Sequence, residues 1–303
     1  MMTMTTNNSH TTDIIERLNA MTVQESTTPS CFNYFNNNIN SNNKFTLNQD
    51  LNETSRKSMV TWITQVQTTL SLSPESVWIG MSFFDRYLSS NKGQSQQVLN
   101  NKAKFQLAAI TSFYTAVKIY EPVVLGMDIL IQICRGTYSE MDITSMENEI
   151  LNALDWRVSC HTPMEFARHL LELLPEEDDI PSCQSEVILE ECQKNLDCTI
   201  ADMYFSSLAP SAVGIGCLAS ALTKNNTLTL SEKQTIWSRL SSKEECQFDL
   251  SSKEVIAVIH RLDPPTSSHD ASSKLTTTSS QSNNHVLSVP SSPVCVTQVA
   301  RQA

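Results

Sequence analysis

From residue 53 onward the apolar residues recur every three or four positions, and this spacing constrains the fold more than any other feature of the chain. Met59, Trp62, Ile63, Val66 and Leu70 follow it, as do Val77, Met81, Phe84 and Leu88. Leu107, Ile110, Tyr114 and Val117 continue the pattern, and Met146, Ile150 and Leu154 close it. At about 3.6 residues per turn, positions so spaced share one face of a helix and are buried together. The punctuation fits the same helices. Ser73-Pro74-Glu75 sets an N-cap before a proline at the first helical position, and Ser139 with Asp142 outlines a capping box. Pro122 and Gly136 stand where a third and a fourth helix must stop, so residues 53–158 read as five helices.

Residues 159–263 restart with the same signals. Thr162-Pro163-Met164-Glu165 supplies an N-cap, a proline at N1 and a glutamate at N3, followed by Phe166, Leu170, Leu173 and Leu174. Further helical patterns run over 187–205, 211–222 and 255–262, with a weaker one at 236–240, giving about five helices again without a side-by-side repeat. Composition closes other routes. Only six glycines occur in 303 residues, against roughly 7% in average usage, too few for hairpin-rich sheets or Gly-rich phosphate loops. Ser, Thr and Asn fill 24 of the first 50 positions, and Ser or Thr fill 15 of residues 264–303. Such segments bury too little apolar area to offset their ordering entropy. The expected chain is therefore all-α: a mostly disordered leader over 1–52 with a short amphipathic helix at 13–21, two five-helix domains over 53–158 and 159–263, and a disordered Ser/Thr-rich tail over 264–303.

The net charge is −11, and no Lys/Arg cluster supports a nucleic-acid or anionic membrane surface as partner. The longest apolar stretch, 209–222, is broken by Pro210 and Ser211 and is short of the ~20 residues of a membrane span. No basic and apolar leader of the secretory type is present, so a nuclear or cytoplasmic location is expected. Nine cysteines without any Cys-x-x-Cys read as reduced small hydrophobes rather than as disulfides or a zinc site. Phosphate-loop, dinucleotide, zinc-protease and nucleophile-elbow motifs are all missing, so no enzyme, metal or cofactor is implied. His161 and His169 are spaced wrongly for a helical metal pair, and the acidic run 176–179 between two prolines reads as a solvated loop. Gly214 and Gly216, inside an apolar helical segment, read as points of close helix packing.

With the helices in place, the first half resembles the cyclin box. The residues that carry the likeness are Arg56-Lys57-Ser58-Met59-Val60-Thr61-Trp62, then Phe84-Asp85-Arg86-Tyr87-Leu88-Ser89. Leu107 to Pro122 and Met146-Glu147 to Trp156 complete it in the right order. The second half, from Thr162-Pro163 through Tyr204 to Leu222, looks like a more divergent second cyclin fold. The leader (17–21 and Asn33-Tyr34-Phe35), Thr61-Trp62 and the segment 162–166 look nearest to D-type, G1-phase cyclins.

The resemblance implies a function that spacing alone does not. By itself Lys118 is a cation placed well at a helix C-terminus, and Glu147 a solvated carboxylate. In cyclins the matching lysine and glutamate bind a cyclin-dependent protein kinase together, so a non-enzymatic kinase regulator in cell-cycle control is expected. Arg56 and Asp85 match an internal ion pair of that family, and Trp62 with Met59 matches the wall of a docking groove for Arg-x-Leu motifs. Ser55 and Ser58 replace larger apolar residues of that groove. The Leu-x-Cys-x-Glu motif of D-type leaders is missing. Thr28-Pro29 and Ser292-Pro293 are candidate phosphorylation sites in the flexible ends. A transcription-associated or nutrient-signalling cyclin is the alternative, and a DNA-associated factor of the same fold is a more distant one.

Overall fold

A computed structural model describes residues 3–35, 51–174, 182–241 and 252–263 of the chain. Among the described residues every regular element is a helix. None of these helices is long and apolar enough to cross a membrane. The helices gather around two apolar cores.

The first core is built from α2 (Glu53–Thr69), α3 (Pro74–Ser89), the single turn α4 (Ser95–Val98), α5 (Lys102–Tyr120), α6 (Met127–Ile133) and α7 (Glu140–Ala153). Its axis is α5, buried without interruption from Phe105 to Val117. A helix apolar on all sides must be surrounded, and α3 and α7 cover α5 on different sides. α3 approaches so closely that a Cβ on Gly80 would meet the backbone of Phe113. The helix starts follow the sequence signals: Ser73 accepts from the Glu75 N–H, and Ser139 with Asp142 forms a complete capping box. Gly136 takes a φ of +66° after α6, the left-handed conformation that suits glycine at a helix end.

The second core is built from α8 (Pro163–Glu172), α9 (Ser182–Ile200), the turn α10 (Met203–Ser206), α11 (Pro210–Lys224), α12 (Leu230–Ser241) and α13 (Lys253–Leu262). Here α11 is the axis, touching α8, α9 and α13. Its glycines explain the closeness. A side chain on Gly214 would run into the backbone carbonyl of Pro163, and one on Gly216 into Val258. Thr162 and Glu165 form the capping box that opens α8.

The short helix expected at 13–21 lies within a longer one. Thr3–Thr27 is one helix, α1, and it buries Ile14, Ile15, Leu18 and Met21 in the second core. Beyond it, Tyr34 is buried in the first core, with Phe32 and Phe35 packed against it. Averaged composition hid this, because four apolar residues on one face suffice once a neighbour covers them, whatever the polarity of the opposite face. Polar contacts fix the ends of the strap. Glu25 accepts from the Ser211 N–H and hydroxyl, both at 2.7 Å, and Arg157 Nη1 donates to the Thr27 carbonyl at 3.0 Å. The acidic run 176–179 and the tail beyond 263 lie outside the described residues.

Candidate functional site

Lys118 and Glu147 come from different helices and meet at the surface. Lys118 sits in the last turn of α5, and Glu147 in the middle of α7, which packs against α5. The Lys118 Nζ donates to both carboxylate oxygens of Glu147 at 2.9 Å, with the lysine side chain 43% and the glutamate 13% exposed. Thr115 Oγ1 lies 3.1 Å from Glu147 Oε1, and the Lys118 ammonium stands 5.4 Å from the centre of the Tyr114 ring. Apolar side chains are exposed alongside. Just past Lys118 the chain turns out Ile119, Val123 and Val124, and earlier on α7 it exposes Met141. Charged groups on an apolar, solvent-facing surface make the contacts that fix register with a partner, while the apolar rim supplies area.

Arg56 and Asp85 meet in the interior. Arg56 Nε and Nη2 donate to the two oxygens of Asp85 at 2.9 and 2.7 Å, both side chains being nearly inaccessible. Two further groups complete the cluster. The Tyr34 hydroxyl donates to Asp85 at 2.8 Å, and Arg56 Nη1 donates at 2.8 Å to the carbonyl of Ile200. The pair therefore joins α2 and α3 to the leader on one side and to the end of α9 on the other. Burial works against the charge of Arg56, but Asp85 outweighs it and holds the guanidinium pKa above its ordinary range. Burial, reinforced by the same carboxylate, pushes Tyr34 well up, and it pushes Cys31 up to about 12. These groups keep one protonation state at ordinary pH, as a structural cluster should.

Met59 and Trp62, which match a docking-groove wall, lie on the buried face that their spacing gives them. Both are inside the first core, 1% and 2% exposed, so neither offers a wall to a bound peptide. Ser55 has its own reason to be small and polar: it is the N3 residue of a capping box with Asn52 that opens α2. Ser58 returns its hydroxyl to the Thr54 carbonyl at 2.9 Å. Thr28 lies directly after α1 and donates to the Gln24 carbonyl at 3.0 Å, while Ser292 lies outside the described residues. His161 contacts Glu165 and Gln24, and no cluster fit to hold a metal ion occurs among the described residues. Sequence reading missed the roles of Tyr34 and Glu25. Tyr34 had stood out only through its resemblance, and nothing in the sequence marks Glu25.

Residues 15–159 match the family model described as the cyclin N-terminal domain. This stretch, just under half of the chain, is similar to that domain. The match begins inside α1 and includes the helix from residue 15 onward. Among curated cyclins, the G2/mitotic-specific cyclin-2 of Antirrhinum majus is 31% identical over 130 residues, 43% of this chain and 28% of that protein. The G1/S-specific cyclin-D1 of Rattus norvegicus is 26% identical over 167 residues, 55% of this chain and 53% of that one. The chain thus spans between about a quarter and about half the length of these cyclins. A viral cyclin from herpesvirus saimiri shares the fold, with a TM-score of 0.59 at 17% identity, covering 82% of this chain and 96% of the viral one. Mitotic and G1/S cyclins are alike in this comparison, which favours no one subtype.

Proposed function

We propose that this chain is a regulatory, non-catalytic subunit that binds and activates a cyclin-dependent protein kinase through Lys118 and Glu147. The observation that carries the reading is their meeting at the surface beside exposed Ile119, Val123, Val124 and Met141. A surface ion pair of this kind contributes only ~0–1 kcal/mol to folding. It therefore holds both groups in place at little cost to their re-use by a partner. An ammonium has three donors for the carbonyls at the end of a partner helix, and a carboxylate accepts backbone N–H groups. Activation then follows from selective binding. A subunit that binds only the active arrangement of a mobile kinase helix shifts its population, and a change from 1:99 to 99:1 needs ~5.5 kcal/mol of differential affinity.

The finer reading is a G1-type cyclin. It is supported by the segment Thr162 to Phe166, which looks nearest to D-type cyclins. The test is affinity capture from lysate with the full chain and with the Lys118→Ala/Glu147→Ala variant, followed by identification of bound kinases. Wild type is expected to retain a protein kinase that the variant loses. Retention by both, or by neither, contradicts the assignment.

A further inference from the structure

Residues 28–31, which follow α1, border a cavity of about 240 Å³ that Arg86 of α3 also lines. We propose that this cavity is an oxyanion site, in which a phosphate group carried on Thr28 or free in solution binds the Arg86 guanidinium.

Arg86 is 6% exposed, and its Nη2 donates to the Arg157 carbonyl at 2.8 Å. Its Nε and Nη1 are buried without a hydrogen-bond partner. The contrast with Arg56 on the neighbouring helix is direct, since all three nitrogens of that guanidinium find oxygen acceptors. A guanidinium remains charged at any ordinary pH. Leaving its donors buried and unanswered is among the costlier arrangements in a protein interior. A phosphate brings up to two negative charges and three strong acceptor oxygens, which answers both the charge and the unpaired N–H groups.

Other charges divide the cavity. Glu25 and Glu254 also line it, with His161. Glu25 is taken up by Ser211, and the charges acting most strongly on it are those of Glu254 and His161. The thiols of Cys31 and Cys160, by contrast, both lie within the influence of Arg86. Asp85 also acts on Cys31, but it is taken up by Arg56 and Tyr34, whereas Arg86 keeps two nitrogens unpaired. Thr28 is a carrier already on the wall, and Pro29 follows it. Phosphorylation transfers the γ-phosphoryl group of ATP to Thr28 Oγ1: the new O–P bond replaces the one to ADP, and the hydroxyl proton goes to solvent. The hydrogen bond from Thr28 to the Gln24 carbonyl is lost in the same step, which frees the side chain to turn toward Arg86. The result is a staple between the leader and α3.

The test uses the full chain with phosphothreonine incorporated at position 28, titrated by phosphorus-31 NMR, next to the unmodified chain titrated with inorganic phosphate. For a phosphate held on Thr28, the second pKa falls by about one unit below its ordinary value near 6, and Arg86→Gln restores it. For a free phosphate site, inorganic phosphate shows saturable binding to the unmodified chain. Should Arg86→Gln fail to fold, the wild-type titrations decide alone. A phosphothreonine pKa that is ordinary or raised, together with no saturable phosphate binding, overturns the proposal.

Discussion

The two cores of this protein hold themselves together by different means. The first surrounds a buried ion pair, Arg56 with Asp85, into which the leader inserts Tyr34 and to which α9 lends the carbonyl of Ile200. The second has no buried ion pair among its described residues; its salt bridges, such as Arg261 with Asp202, lie at the edge. What organises it is proximity, with α11 brought against α8 and α13 by Gly214 and Gly216. Buried polar groups demand specific partners and so impose specific residues on a sequence. Close packing demands only small residues in the right places, which many sequences satisfy.

The largest effect expected from this difference is on the ion pair. Asp85→Ala leaves a buried guanidinium uncompensated and should cost ~3–5 kcal/mol in urea unfolding. Asp202→Ala, which removes an exposed bridge of the second half and the N-cap of α10, should cost less, ~1–2 kcal/mol. If the two variants unfold alike, the contrast between the cores fails. Next is Leu18→Ala on α1, which empties a fully buried position of the second core and should cost ~2–5 kcal/mol. A neutral result would return the leader to the disorder expected from its composition.

Gly214→Ala should be milder, because helix propensity gains ~1 kcal/mol while the new methyl is forced against the Pro163 backbone. Net destabilisation of ~1–3 kcal/mol is expected from overpacking, and a stabilised variant would show that α11 does not need its glycine. The smallest effect concerns pH. Burial pushes the Glu165 carboxyl up, but hydrogen bonds from His161 and the Thr162 N–H outweigh it and leave its pKa below the ordinary value. A depressed folded pKa contributes stability that is present above the unfolded pKa and is lost as pH falls through the folded one. The advantage of wild type over Glu165→Gln, under ~1 kcal/mol, should therefore shrink on acidification. Glu25, raised chiefly by burial, should show the opposite trend.

The same contrast explains what could be read from the sequence. Helix periodicity and capping boxes are local, and the boxes at Ser139 and Thr162 are complete in the structure. Arg56, Asp85, Lys118 and Glu147 stood out through the resemblance to the cyclin box and not through spacing. The core of the leader helix was legible at 13–21, but not its full length or its burial, since the surface that covers it is distant in sequence. Periodicity placed Trp62 on a buried face, and it is buried, whereas its match to a groove wall says nothing about which of its faces the neighbouring helices cover. Arg86 carries no signal of its own, because an unanswered donor is a property of its surroundings.

The central claim is that Lys118 and Glu147 act on a partner rather than on each other. Exchanging them in Lys118→Glu/Glu147→Lys preserves the intramolecular bridge and reverses what a partner meets. Kinase capture by wild type and by this charge-swapped variant separates the two roles. The swap is expected to fold with wild-type stability and to lose the kinase, through a penalty of ~2 kcal/mol or more at an interface hot spot. Undiminished capture by the swapped chain would make the pair a structural bridge and contradict the account.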